Sequence, residues 1–203
     1  MIGESLRDKI ITESRNKKVS TLKQLIFVTG PPGIGKTSVL LRSVNGLSSR
    51  GYEIGGMISR DVREGGVRVG FEIMDFSTGQ RGWLAHVDQP TGPKISKYRV
   101  NLTDLEAIGV SSILEAIRNA DIIMVDEIGP MELFSSGFRE AVVQAVESDK
   151  PVLATIHFGL RNHFVNDLKN RQDAQIHEVT FENRKSLHNL IIDKVVQSLR
   201  KIS

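Results

Sequence analysis

The sequence predicts an α/β fold in which a mostly parallel sheet carries helices on both faces and an antiparallel hairpin is inserted into the chain. Two patterns predict this fold. Short apolar runs, typical of strands buried in a parallel sheet, alternate with longer segments whose apolar residues recur at helical spacing. Between residues 67 and 86, however, apolar and polar residues alternate one by one around a Ser-Thr-Gly turn, which is typical of antiparallel strands.

The composition is that of an ordinary globular protein. Of the 203 residues, 39% are apolar and 25% are charged, which suits a single domain over residues 24–203 behind a polar N-terminal extension, residues 1–23. No run approaches the roughly 18 apolar residues of a membrane span, so we expect a cytoplasmic protein with no membrane segment. The lack of cysteine excludes disulfides and thiolate chemistry. Because 27 basic residues are nearly balanced by 24 acidic ones, nucleic acid is not an expected partner. We also expect a monomer.

The first half of the chain contains the first strand, the first helix and the hairpin. A strand over 25–28 precedes a glycine-rich turn and a helix from Lys36, and Gly51 is placed where a left-handed cap would end that helix. A strand over 54–59 comes next. The hairpin pairs strands near 67–74 and 80–86, and two prolines indicate a surface loop over 88–97.

The second half repeats the order of strand and helix. Apolar runs predict strands over 122–125, 152–156 and 176–180. Apolar residues at helical spacing predict helices over 105–117 and 138–146, a shorter one around 164–168, and a last one over 187–199. Because helical crossovers join parallel strands, these segments would extend one sheet that is covered on both faces.

An unbroken G-x-x-x-x-G-K-[S/T] motif lies between the first strand and the first helix. Its residues are Gly30, Pro31, Pro32, Gly33, Ile34, Gly35, Lys36 and Thr37. The glycines let backbone N–H groups approach an anion, and the positive end of the following helix reinforces this site. Lys36 would bring a positive charge to the β and γ oxygens of a nucleoside triphosphate, and the Thr37 hydroxyl would coordinate Mg²⁺. The motif therefore predicts a nucleotide-binding loop.

The strand over 122–125 places two carboxylates at its C-terminal end, where the ligands of α/β sheets bind. Asp126 is the predicted Mg²⁺ ligand beside Thr37, and Glu127 is predicted to orient or deprotonate the attacking water. Glu132 is a rival for the role of catalytic base. The Gly-Pro pair at 129–130 indicates a tight turn that would hold the carboxylates near the terminal phosphate.

Polar residues elsewhere could complete the site. Thr155 and His157, at the end of the strand over 152–156, would point towards the same crevice and could sense the γ-phosphate, although a simple packing role for His157 is an equal alternative. Hydrolysis also gains from an arginine that neutralises charge in the transition state. Arg63, Arg68 and Arg139 are the internal candidates, each of which could instead be an ordinary surface charge, and alanine substitution of each would test for an arginine acting in cis.

The motifs resemble those of one family, the small broad-specificity nucleoside triphosphatases of thermophiles, which includes the human cancer-related nucleoside triphosphatase. The resemblance covers nearly all of residues 25–199. It rests on residues 30–37, on 63–66 with Arg68, Gly70 and Phe71, and on the run IIMVDEIGPMEL at 122–133. It continues through residues 134–139 and 153–156, and through Thr180, Asn183 and Arg184. Two features depart from the family pattern: the extension over 1–23, and Arg99 where a small residue is expected.

The resemblance implies a RecA-like sheet and Mg²⁺-dependent hydrolysis of ATP, GTP and other triphosphates to diphosphate and phosphate, with little preference for the base. It also implies that nucleotide contacts include the segment after the apolar strand. Those residues are Ile122, Ile123, Met124, Val125, Asp126, Glu127, Ile128 and Gly129. Asn183 and Arg184 follow the last predicted strand, in a position suited to contact with a base, but Asn183 could equally cap the final helix.

Two other functions are compatible with the same nucleotide-binding loop. A kinase would transfer the γ-phosphate to a hydroxyl acceptor, with the loop over 88–97 as its cover, but that loop contains no arginine to grip phosphates. A nucleotide-gated binding module would hydrolyse slowly and use the event to reset a contact surface. Release of phosphate without an added acceptor, at a rate unaffected by partners or RNA, distinguishes hydrolysis from both.

Overall fold

A computed structural model of the protein describes residues 24–200, so the predicted N-terminal extension, 1–23, lies outside the described residues. Nine strands form a single sheet in the order β5-β6-β4-β3-β2-β7-β8-β1-β9. The strands are β1 (Leu25–Thr29), β2 (Ile54–Glu64), β3 (Val67–Asp75), β4 (Arg81–His86), β5 (Lys94–Ile95), β6 (Tyr98–Val100), β7 (Ile122–Ile128), β8 (Val152–Ile156) and β9 (Ala174–Glu178).

Five helices connect or follow these strands: α1 (Lys36–Ser48), α2 (Ser111–Asn119), α3 (Ser136–Glu147), α4 (His163–Lys169) and α5 (Leu187–Arg200). A short turn, Leu102–Asp104, and a π-helical stretch, Leu105–Val110, lead into α2. A 3₁₀ turn, Glu132–Phe134, precedes α3. Among residues 24–200, no helix combines the length and the apolar character required to traverse a bilayer.

The predicted fold class is confirmed. Strands β2, β7, β8, β1 and β9 are parallel neighbours, and β3, β4, β6 and β5 extend the same sheet in antiparallel fashion. Two buried clusters lie on the two faces. Residues of α1 and α5 pack on one of them, and residues of α2, α3 and α4 pack on the other, so helices cover both faces as the alternating pattern predicts.

Several boundaries differ from the predicted ones. The last strand, predicted over 176–180, is Ala174–Glu178, because its pairing with β1 aligns Thr29 with Glu178 and leaves Val179 and Thr180 beyond the sheet. Strand β2 runs five residues past the predicted end at Ser59, since β3 pairs with it as far as Glu64. The predicted loop over 88–97 includes the two-residue strand β5.

The register of the parallel strands brings Asp126 and Thr155 side by side. Val28 on β1 lies opposite Thr155 on β8, and Ile58 on β2 lies opposite Asp126 on β7. The Thr155 hydroxyl donates a hydrogen bond to Asp126, so these two side chains are on the same face of the sheet. Val28 and Ile58 belong to the cluster that packs against α1. The register of the strands therefore places Asp126 and Thr155 on the face of the sheet that α1 covers.

The β2–β7 contact depends on Gly56. Its φ of +122° favours glycine, and a Cβ atom at this position would lie 1.9 Å from the carbonyl oxygen of Met124. A side chain would therefore push β2 away from the strand that bears Asp126.

We predict that Gly56→Ala lowers the free energy of unfolding by about 3 kcal/mol or more, since backbone strain and a steric clash both oppose it. Gly79→Ala is the matched control, because Gly79 also has a positive φ, +76°, but open space around its Cβ position. It should cost about 1 kcal/mol. Urea denaturation of both variants measures the difference, and equal losses would contradict this explanation.

Candidate functional site

The glycine-rich loop leaves β1 and enters α1 with the backbone that its sequence predicts. Gly30, Gly33 and Gly35 all have positive φ values, and Gly35 is the residue immediately before α1. At Gly30 the need for glycine is also steric, because a Cβ atom would lie 2.9 Å from the carbonyl oxygen of Val179. Successive positive φ values before a helix start are typical of a loop whose backbone N–H groups face one surface, which suits an anion.

Lys36 supplies the positive charge of this surface. Its ammonium group donates a hydrogen bond to the carbonyl oxygen of Gly30 at 3.1 Å, which holds the side chain along the loop. Its charge also reaches the carboxylates of β7, since it lowers the pKa values of Asp126 and Glu127 against the larger, opposing effect of burial. The structure therefore brings the loop and the β7 carboxylates together.

Asp126 is a buried carboxyl group with only part of its hydrogen bonding satisfied. It is 2% exposed, and burial raises its pKa to about 6, opposed by the hydroxyls of Thr155 and Thr37. Oδ1 accepts the hydrogen bond from Thr155, whereas the buried Oδ2 has no hydrogen-bond partner among the described residues. The peptide bond that joins Asp126 to Glu127 is cis.

Glu127 lies at the edge of the same surface and is less deeply buried than Asp126. Burial raises its pKa, while the charges of Lys36 and His157 lower it. Its Oε1 atom and the Nδ1 atom of His157 are buried without hydrogen-bond partners in the described part of the chain. Of the two residues expected from the sequence to point towards this crevice, His157 is close enough for its charge to affect Glu127, whereas Thr155 donates its hydrogen bond to Asp126.

Glu132 differs sharply from the other two carboxyl groups. It is 4% exposed, and burial raises its pKa to about 8, with the charges of Glu127 and Asp126 adding to the effect. Its Oε2 atom lies beside Gly129, at 2.9 Å from the position that a Cβ atom there would occupy. At neutral pH this group holds a proton, so its environment suits a neutral hydrogen-bonding residue better than a catalytic base.

The three arginines singled out from the sequence have other partners. Arg63 and Arg68 both form ion pairs with Asp61, with N–O distances of 2.8 and 3.2 Å. Arg139 donates a hydrogen bond to the carbonyl oxygen of Leu133 and lies in the first turns of α3, which packs on the sheet face opposite α1.

Arg60 was not identified from the sequence. It lies two residues beyond Ile58, which pairs with Asp126, so its side chain projects from the same face as that carboxylate. Strand geometry places the Cα atoms of Arg60 and Asp126 about 8 Å apart. Its guanidinium group contacts Glu72 at 2.7 Å, and Arg81 contacts the same carboxylate at 3.6 Å.

Comparison with known proteins identifies the family. The model of a family described as NTPase matches residues 25–192. This chain belongs to that family. The resemblance inferred from the motifs is thereby confirmed, and with it the predicted enzyme class, nucleoside-triphosphatase.

Relatives and solved structures in the family agree over most of the chain. A nucleoside-triphosphatase THEP1 from Thermofilum pendens is 47% identical over 79% of this chain and 89% of its own length, and one from Thermotoga maritima is 44% identical over 82% and 92%. The crystal structure of THEP1 from Aquifex aeolicus matches with a TM-score of 0.76 at 29% identity, covering 85% of this chain and 99% of that one. The solution structure of a human cancer-related nucleoside triphosphatase matches with a TM-score of 0.72 at 34% identity, over 85% and 97%.

The environment of Glu132 predicts a pH dependence of stability. The folded protein keeps the proton of this group up to about pH 8, whereas an unfolded chain releases it near 4.5. The free energy of unfolding therefore loses a contribution as the pH rises through this interval, at up to about 1.4 kcal/mol per pH unit.

Glu132→Gln should remove this loss, so the variant gains stability relative to the wild type between pH 5 and 8. Urea denaturation at several pH values measures it. Glu140→Gln, which removes an exposed carboxylate from α3, serves as the control. Parallel pH profiles for wild type and Glu132→Gln would show that Glu132 is not a buried neutral acid.

Proposed function

We propose that this family member hydrolyses nucleoside triphosphates to diphosphate and phosphate in an Mg²⁺-dependent reaction, with little preference for the base. The observation that supports this most strongly is the convergence of the anion-binding loop, Lys36 and two partly unsatisfied carboxyl groups on one surface. We propose that the protein acts as a monomer. The cytoplasm is the location that the sequence favours.

The residues present fit a magnesium ion. Oδ2 of Asp126 is a buried oxygen with no hydrogen-bond partner within residues 24–200, and Thr37 is near enough to lower the pKa of the same carboxyl group. A hydroxyl and a carboxylate are hard oxygen donors of the kind that Mg²⁺ prefers. We therefore propose Thr37 and Asp126 as the protein ligands. When bound, the ion would stabilise negative charge on the phosphates.

The chain's own residues have separable roles in the proposed reaction. The loop backbone and Lys36 hold the β- and γ-phosphates, and Lys36 offsets the negative charge that Glu127 brings to the site. Glu127 has a raised pKa and a buried Oε1 atom with no hydrogen-bond partner in the part of the chain that the structure describes, and it orients the attacking water and accepts its proton. His157 lies beside Glu127 and helps to set its charge. Glu132 supports this arrangement as a neutral neighbour.

Phosphate release from ATP, GTP, CTP and UTP, with Mg²⁺ and with EDTA, tests the proposal. We expect all four triphosphates to release phosphate with Mg²⁺ but not with EDTA, and without an added acceptor. Strict dependence on an added hydroxyl acceptor would indicate a kinase instead. A basal rate that rises only with a protein or RNA partner would indicate a nucleotide-gated binding module.

Glu127→Gln should lower kcat by about 100-fold or more, because the water loses its proton acceptor. Triphosphate affinity should change little, since the loop and Lys36 remain intact. Single-turnover kinetics and equilibrium titration separate the two effects. The same pair of measurements on Glu132→Gln is the comparison, and a larger loss of kcat in that variant would reverse the assignment of the base.

Arg60 is the arginine that the sheet geometry favours for neutralising the transition state. It projects from the face that carries Asp126, in the next row towards the C-terminal ends of the parallel strands. Arg81 contacts the carboxylate of Glu72, so Glu72 keeps a partner when Arg60 turns towards a phosphate.

Arg60→Ala should lower kcat by about 10³-fold with KM little changed, as expected for a group that acts mainly in the transition state. Arg63→Ala and Arg68→Ala are matched controls on the same hairpin and should retain activity. Partial recovery of the Arg60→Ala rate by added guanidinium would support a direct role. Normal turnover by Arg60→Ala would exclude it.

A further inference from the structure

We propose that Phe181, with Arg184 against its ring, is a stacking platform for the base of the bound nucleotide. The inference rests on the proposed function, because it requires a triphosphate anchored on the loop over 30–37. It adds a second subsite, whose ligand class is the planar aromatic face of any nucleobase.

The order of the strands decides where the base belongs. In the sheet, β7 and β9 lie on opposite sides of β1, the strand that leads into the anion-binding loop. Asp126 and Glu127 on β7 mark the position of the terminal phosphate. A nucleotide that runs across the loop from that end therefore carries its base towards the segment that follows β9.

That segment adjoins the loop directly. The backbone N–H of Val179 donates a hydrogen bond to the carbonyl oxygen of Thr29 at 2.8 Å. The carbonyl oxygen of Val179 is the atom that a Cβ at Gly30 would meet. The residues over 180–186 therefore begin beside the first glycine of the phosphate-binding motif.

The segment is a fixed structure on which a platform can be built. The side-chain oxygen of Asn183 accepts a hydrogen bond from the N–H of Thr180, and its amide donates to the carbonyl oxygen of Glu178. Arg42, on α1, donates to the carbonyl oxygen of Arg184 at 3.1 Å. The segment is thus tied both to β9 and to the helix that follows the phosphate-binding loop. The Asn183 side chain closes this turn instead of capping α5, so the capping role considered from the sequence is wrong.

Phe181 is the unexplained residue of this segment. Its side chain is 71% exposed, more than that of any other exposed large apolar residue of the described chain. The guanidinium carbon of Arg184 lies 4.9 Å from the centre of its ring, which orients the ring by a cation–π contact. An ordered, exposed aromatic ring beside a phosphate-binding loop has the position and the chemistry of a base-stacking group.

A platform of this kind explains tolerance for different bases. Stacking uses the face of the base, which all four bases have, whereas selection requires hydrogen bonds to the base edges. The amide of Asn183, the most suitable edge-reading group nearby, is already bonded to the backbone. Stacking on Phe181 would therefore not by itself distinguish one base from another.

Equilibrium titration with ADP, GDP, CDP, UDP and pyrophosphate, each with Mg²⁺, tests the platform without turnover. The wild type should bind the four diphosphate nucleotides with similar affinity, and about tenfold or more tighter than pyrophosphate, which has no base. Phe181→Ala should lose about tenfold in affinity for all four nucleotides and leave pyrophosphate binding unchanged. Phe181→Trp should restore nucleotide binding. Leu190→Ala, which truncates an exposed apolar residue of α5, is the control and should bind as the wild type.

Other results would overturn the proposal in distinguishable ways. Unchanged nucleotide affinity in Phe181→Ala, or equal wild-type affinity for nucleotides and pyrophosphate, would exclude the platform while leaving triphosphate hydrolysis intact. A parallel loss of pyrophosphate binding in Phe181→Ala would show that Phe181 only supports the loop. Absence of binding of every probe to the wild type would overturn the proposed function as well.

Discussion

The buried carboxyl group of Asp126, whose hydrogen bonding is only partly satisfied, is the constraint on which the rest of the site depends. Removing Asp126 from water costs free energy, as its raised pKa shows, and the hydrogen bond from Thr155 offsets only part of that cost. Oδ2 is left without a partner among the described residues. Buried polar atoms in folded proteins normally have partners, and the cation that we propose between Asp126 and Thr37 would supply one. The pairing of β7 with the parallel strands β2 and β8 holds Asp126 in this position.

The same sheet order separates the two ends of the proposed substrate. The carboxylates proposed for metal and water come from β7, on one side of the strand that leads into the anion-binding loop, and the exposed ring of Phe181 follows β9 on the other. Strand β2 pairs with β7 on one side and with the antiparallel β3 on the other. Arg60 lies on β2 two residues beyond its last pair with β7, whereas Arg63 and Arg68 form ion pairs with Asp61 further along the hairpin. The order of the strands would therefore place the proposed groups for charge neutralisation, phosphate binding and base contact in a line.

The sequence predicts the parts of this site that depend on local patterns. The spacing from Gly30 to Thr37, followed by a helix, fixes the anion-binding loop, and the apolar strand before Asp126 fixes the carboxylate pair. Burial was harder to foresee. From the sequence alone, Glu132 is a carboxylate that could act as a base. In the structure it is buried in a tight turn, and burial raises its pKa to about 8. No local pattern reveals that environment.

Features that depend on long-range pairing were missed or misplaced. Arg60 fell outside the strand predicted to end at Ser59, because the extra length of β2 comes from its pairing with β3. The last strand was predicted two residues too late in the chain, because the apolar residue Ile176 was taken to start it. In the structure the pairing with β1 sets the bounds of this strand, and Ile176 is 45% exposed. Phe181 was not identified from the sequence either, because the exposure of its ring depends on the turn that follows β9.

Titration of a non-hydrolysable ATP analogue into wild type and Asp126→Asn, each with Mg²⁺ and with EDTA, tests the central role of the buried carboxylate most directly. The wild type should bind the analogue at least about tenfold more tightly with Mg²⁺, and Asp126→Asn should lose that difference while binding in EDTA at least as well as the wild type, because a like charge has been removed. An undiminished gain from Mg²⁺ in Asp126→Asn would contradict the account.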